Sequence, residues 1–132
     1  MPVSGRKLTI EEALALCFSV GFEGEKKQRW AVAVMTAESG RYVEAWGVNE
    51  NKSADRGLFQ VNTIHTSLGM AKSFTATANA KFAAMLSDYG EDFTPWNAFK
   101  SGAYEQFLPE IHRVWKQGEW RALVPTIQEE LG

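Results

Sequence analysis

The sequence is short of several things, and each shortage removes a class of explanation. Of its 132 residues one is cysteine, Cys17, so the chain closes no disulfide on itself and its fold does not depend on an oxidising compartment. Set in the apolar run ALALCFSV, that cysteine reads as a small buried residue rather than a catalytic thiol. The two histidines, His65 and His112, lie far apart, with no cysteine or carboxylate cluster at ligand spacing, which argues against a zinc site. Ser39 and Ser101 lack a histidine and aspartate escort for nucleophilic catalysis. No glycine-rich loop would cradle a phosphate. A net charge of −2 sets up no global field toward nucleic acid or an anionic membrane. No apolar run approaches a membrane span, and the opening MPVSGRKLTIEEA has no apolar stretch of the kind a secretory leader carries. Repeats, linkers and low-complexity segments are missing too.

What is present suits one domain over residues 1–132. Hydrophobic residues make up 45% and charged residues 23%, near the globular average. A chain of this length buries roughly two-thirds of its unfolded surface, enough for a core. Thr9 with Glu12 forms a capping-box signature ahead of a first helix, in which Leu14, Cys17 and Phe18 share a face and Gly21 is the stop. EKKQRWAVAVMTAES, ending at Gly40, reads as a central helix. Residues 41–62 form a hairpin or meander around the polar cluster Asn49–Ser53. A short helix is expected over Thr63–Leu68. A longer one follows, capped by Thr75 or Thr77, buried through Ala80, Phe82, Ala83 and Leu86, and stopped by Gly90. TPWNAFKSG gives another short helix, with Thr94 as cap, Pro95 at the first position and Gly102 at the end. The last helix starts near Pro109, and a turn or two follows, with Trp115 and Trp120 holding this end down. The fold class is α+β, mostly α, with a small β insertion after the second helix.

Two acids stand out. Glu38 closes an apolar helix, where the negative end of the helix dipole and partial burial both disfavour its charge. Both effects raise a carboxyl's pKa, as a general acid working near neutral pH requires. Asp55, flanked by Ser53, Ala54 and Arg56, sits in a polar stretch that suits an ionised carboxylate. Carboxyls whose surroundings push them apart in this way are the signature of acid and nucleophile in glycoside cleavage. The plainer reading is a surface glutamate and a turn aspartate. Tyr42, Trp46, Phe59 and Tyr104 are candidate sugar platforms, with core packing as the alternative for each.

The order and spacing of these residues resemble the lysozyme superfamily from about Ala33 to Tyr104. Glu38–Ser39 ends an apolar helix, and Asp55 follows seventeen positions later, directly before Gly57, Leu58, Phe59, Gln60, Val61 and Asn62. Chicken-type lysozymes carry an aspartate at the same interval before a very similar run. FTATANAKFAAMLSDYGEDFTPWNAF resembles the family's later helix and its tryptophan segment. The resemblance implies a lysozyme-like fold with a substrate cleft, with Glu38 as acid and base and Asp55 as nucleophile or cation stabiliser. These roles follow the lysozyme template, the type case of such chemistry. It also implies that Gln60, Asn62 and Asn49 bind substrate and that Trp96 packs against the acid. Phe99 and Tyr104 complete the expected substrate-binding set. Phage lysins and soluble lytic transglycosylases share some of these elements. Many of them, however, carry a Tyr-Asn pair where this chain has Phe99 and Lys100.

Three functions stay open on this reading. The first is a muramidase hydrolysing the β-1,4 bond between N-acetylmuramic acid and N-acetylglucosamine. The second is a lytic transglycosylase forming 1,6-anhydro ends. The third is a non-catalytic lysozyme-like module. The expected partner is the peptidoglycan glycan strand, with no cofactor or metal, no nucleic acid, no membrane insertion and a monomeric state. The expected setting is synthesis in a host cytoplasm without a signal peptide and action on the bacterial wall, as a phage endolysin or virion component.

Overall fold

The computed structural model describes residues 5–62 and 75–132; the expected helix over Thr63–Leu68 and His65 lie outside them. α1 (Ile10–Ser19) begins with the full capping box: Thr9 Oγ1 accepts from the Glu12 N–H, and the Glu12 carboxylate accepts from the Thr9 N–H. α2 (Glu25–Ser39) ends at Gly40 in the left-handed conformation. A three-stranded antiparallel sheet follows in the order β1 (Trp46–Val48), β2 (Ala54–Arg56), β3 (Val61–Asn62). Then come α3 (Ala76–Leu86), α4 (Asn97–Lys100), a 3₁₀ turn over Ala103–Phe107, α5 (Leu108–Gln117), α6 (Trp120–Leu123) and α7 (Ile127–Leu131). The fold is the expected mostly helical α+β arrangement with the sheet after the second helix.

α2 is the centre, packing against α1, α4, α5 and the 3₁₀ turn. Its middle, Ala31–Met35, is wholly buried. The buried Gln28 ties the helices by donating to the Leu14 carbonyl (2.9 Å) and accepting from the Trp115 indole (3.0 Å). Cys17 is buried on α1, and burial pushes its thiol far up, so it stays protonated and inert.

Three helix expectations need correction. Phe18 does not share the buried face with Leu14 and Cys17; it is 37% exposed and lies at the edge of the core against Trp120. α3 stops at Leu86, not at Gly90, because the Ser87 hydroxyl donates to the Ala84 carbonyl and accepts from the Gly90 N–H, a local alternative to another helical turn. α4 starts at Asn97 rather than after Thr94, because Trp96 is held extended (φ −105°, ψ 129°) by its indole bond to the Phe59 carbonyl (2.7 Å).

The turn from Gly57 to Gln60, between β2 and β3, is clamped from three sides. Buried Asn79 on α3 donates to the Arg56 carbonyl (2.8 Å) and accepts from the Phe59 N–H (2.9 Å). Gln60 folds its amide back onto the Ala45 and Gly57 carbonyls (3.1 and 3.0 Å). Trp96 holds the third side, through its indole bond to the Phe59 carbonyl. Gly57 has φ +78°, and a Cβ there would collide with the Asn79 amide, so glycine is needed twice over. Asn79→Ala removes the partner of the buried Phe59 N–H and one bond to the part-buried Arg56 carbonyl. It should cost about 2–4 kcal/mol, read as a lower denaturant midpoint at unchanged slope.

Candidate active site

Glu38 occupies the last turn of α2, and the chain turns sharply after it. Buried Ser39 donates to the Met35 carbonyl and accepts from the Arg41 N–H. Arg41 takes a left-handed conformation (φ 68°) and sends its guanidinium to the Leu8 carbonyl (3.0 Å) and Thr36 Oγ1 (2.9 Å). These bonds fix the helix end and leave the half-buried Glu38 side chain facing a cleft of about 450 Å³. The cleft forms where the end of α2, the sheet, the end of α3 and the start of α4 meet. Asn49, Asp55, Gln60, Asn62, Trp96 and Asn97 line it with Glu38.

Burial is the main reason the Glu38 carboxyl is raised above the usual glutamate range. A hydrogen bond from the Ala98 N–H pulls the other way, and the negative charge of Asp55 adds to the rise. Desolvation and a second carboxylate therefore do the work that the sequence reading had divided between burial and the helix dipole.

Asp55 sits in the middle of β2, opposite Gly47 on β1 and Asn62 on β3. Opposite glycine, no neighbouring side chain covers it from β1. Its two oxygens have separate partners: Oδ1 accepts from Asn62 Nδ2 (2.8 Å) and Oδ2 from Asn49 Nδ2 (3.3 Å). Each amide gives its other hydrogen to Ser53 Oγ, at 3.1 Å from Asn62 and 3.2 Å from Asn49. Ser53 in turn donates to Asn51 Oδ1. One buried hydroxyl thus orients both amides that hold the carboxylate.

Six of the eight residues expected from sequence come together here: Glu38, Asp55, Asn49, Gln60, Asn62 and Trp96. Two do not. Phe99 and Tyr104 stack on each other (5.0 Å) and against Trp30, and Phe99 lines a separate groove with Lys26 and Lys27. The short α4 helix turns Phe99 away from the face that Trp96 and Asn97 present. Two candidate platforms also fall elsewhere. Phe59 is fully buried between Phe22 and Trp96. Trp46 is exposed, but it pairs with Arg56, one residue on from Asp55, and so shares the opposite face of the sheet. Reading the sequence missed Ser53, Asn97 and the Ala98 N–H. Ser53 left a signal: it lies two residues before Asp55, the spacing that puts both on one strand face. Among the described residues no His, Cys, Asp or Glu cluster gathers to hold a metal ion.

A family model described as a lysozyme like domain matches residues 14–98, from within α1 to the residue that bonds Glu38. No curated protein matches the chain.

The site yields a signed pH prediction. Glu38 is raised in the folded state, so its contribution to stability is fully present below the ordinary glutamate range and is lost as pH rises through the folded value. Glu38→Gln, a mimic of the protonated form, should therefore be more stable than wild type near neutral pH and equal to it in acid. Asp55→Asn should lower the Glu38 midpoint seen by carboxyl NMR, because it removes the repelling charge.

Proposed function

The chain belongs to the lysozyme-like domain family, whose activity is directed at peptidoglycan, and from that premise we propose that it is a muramidase. It hydrolyses the β-1,4 bond between N-acetylmuramic acid and N-acetylglucosamine. One observation carries this reading: a raised, half-buried Glu38 shares a cleft with an Asp55 whose two oxygens are both held by amides. Glu38 enters protonated and gives its proton to the glycosidic oxygen as the bond breaks. Asp55, fixed by Asn49 and Asn62, meets the positive charge that develops on the sugar ring, either stabilising it or forming a bond to it. Glu38, now a carboxylate, takes a proton from the water that completes hydrolysis. The Ala98 N–H supports it in that charged stage.

A transglycosylase needs the glutamate alone, with the sugar's C6 hydroxyl attacking in place of water. The aspartate so carefully anchored here would then have no task, which is why hydrolysis is the preferred reading. We extend the proposal to a wall lysin of phage type, made in a reducing cytosol. The support is that the fold closes around a lone buried Cys17 and needs no disulfide.

The test is mass spectrometry of fragments released from bacterial sacculi. Wild type should give reducing muramic acid ends, and Glu38→Gln should release them at least ~10²-fold more slowly. Asp55→Ala should fall by a similar factor. Fragments lighter by one water, with Asp55→Ala near normal, would instead make the enzyme a transglycosylase. Binding to sacculi with no release by wild type would leave a non-catalytic module.

A further inference from the structure

Another groove, of about 460 Å³, lies between the end of α1, the start of α2, the end of α5 and α6. It shares no lining residue with the cleft. Most of its lining comes from positions past 98, which the family match does not reach. Its floor is aromatic: Phe18 packs on Trp120 (5.5 Å between ring centres) and Trp115 stacks on Trp120 (6.4 Å). Both indole N–H groups are committed, Trp115 to Gln28 Oε1 (3.0 Å) and Trp120 to the Trp115 carbonyl (3.1 Å). Toward a ligand these rings therefore present apolar faces and no donors.

The polar chemistry of the groove comes from one cation. Exposed Arg121 lies across both indoles, its guanidinium carbon 4.5 Å from the Trp120 ring centre and 5.4 Å from that of Trp115. Gly118 makes room for it, since a Cβ there would stand 2.8 Å from Arg121 Nη1. Among the described residues no carboxylate pairs with Arg121 and no acceptor takes its side-chain N–H groups. The carboxylate on the groove, Glu25, is engaged by Arg29 (3.3 Å). The start of α2 adds charge of the same sign as Arg121, because Gly24 caps it with no side-chain bond. Stacking fixes the plane of a guanidinium, and its donors form a rigid fork that matches a carboxylate. An apolar floor beside one unpaired, oriented cation fits a ligand with a small apolar body that ends in a carboxylate.

We propose that this groove is a second wall-binding site: Arg121 takes the terminal carboxylate of a peptidoglycan stem peptide, whose last small apolar residue rests on Phe18 and Trp115. The proposal rests on the peptidoglycan reading above and adds a contact to the peptide part of the polymer, apart from the cleft that takes the glycan. Arg121 is exposed, so replacing it does not touch the core.

The experiment follows the indole and backbone NMR signals of the full chain during titration with a sugar-free stem peptide ending in D-alanyl-D-alanine. The same peptide amidated at its C-terminus is the control. The free acid should shift the Trp115 and Trp120 indole signals and bind about tenfold more tightly than the amide, the size of one charge-assisted hydrogen bond. Arg121→Gln should bring the acid down to the affinity of the amide and leave the amide unchanged. Arg121→Lys, which keeps the charge without the fork, should recover part of the loss. Equal affinity for acid and amide in wild type overturns the proposal, as does an equal loss on both ligands in Arg121→Gln. Shifts confined to the cleft, or no binding, overturn it too. The sacculus assay reads the cleft separately. Fragment release without peptide binding sinks this site and leaves the muramidase reading standing; Arg121-dependent binding without fragment release does the reverse.

Discussion

The turn from Gly57 to Gln60 carries the site. It joins the strand that bears Asp55 to the strand that bears Asn62, and it lies too deep for water to satisfy its backbone. Three side chains do that instead, each from a different place in the chain: Asn79 from α3, Trp96 from the approach to α4, and Gln60 from the turn itself. Buried backbone groups left without partners are costly, so these bonds fix the sheet against the helices with little freedom. The cleft is the space left over, and its width is set by how the turn is held. Trp96 has a double effect, since the bond that anchors the turn also delays α4 and brings the Ala98 N–H to Glu38.

The two carboxyls differ because they stand on different kinds of structure. Glu38 projects from a helix end that the rest of the domain buries, and desolvation holds it toward its neutral form. Asp55 lies on a short strand among amides, with both oxygens occupied and glycine opposite. Glycoside cleavage uses that division, one group carrying a proton and the other a charge. The two are also coupled: the charge on Asp55 helps keep the proton on Glu38, so the division maintains itself.

The aromatic residues are spent mainly on packing. Phe22, Phe59, Phe93 and Trp96 form one stacked and tilted cluster behind the cleft. Phe99, Tyr104 and Trp30 continue it away from the cleft, joined through the Phe93–Phe99 contact (5.8 Å). The described wall of the cleft combines amides and carboxylates with the apolar Val61, Leu86, Pro95 and Trp96, so recognition there draws on hydrogen bonds as well as apolar contact.

The sequence by itself determined the elements whose signals are local. The capping box at Thr9, the apolar run of α2 closed by Gly40, the meander after it and the Thr75 cap are all set by neighbours within a few residues. The order and spacing of Glu38, Asp55, Gln60 and Asn62 likewise pointed to a cleft, through their resemblance to the lysozyme superfamily. Only the tertiary structure decided the rest. Where Trp96 points, and so where α4 begins, depends on a carbonyl thirty-seven positions away. Tyr104 went to the core and Phe99 to its edge because Trp30, distant in sequence, was there to receive them. Which bonds the cleft amides make is also settled by partners in space. A polar side chain in a sequence shows what it can bond, and only the fold shows which of those bonds are already made.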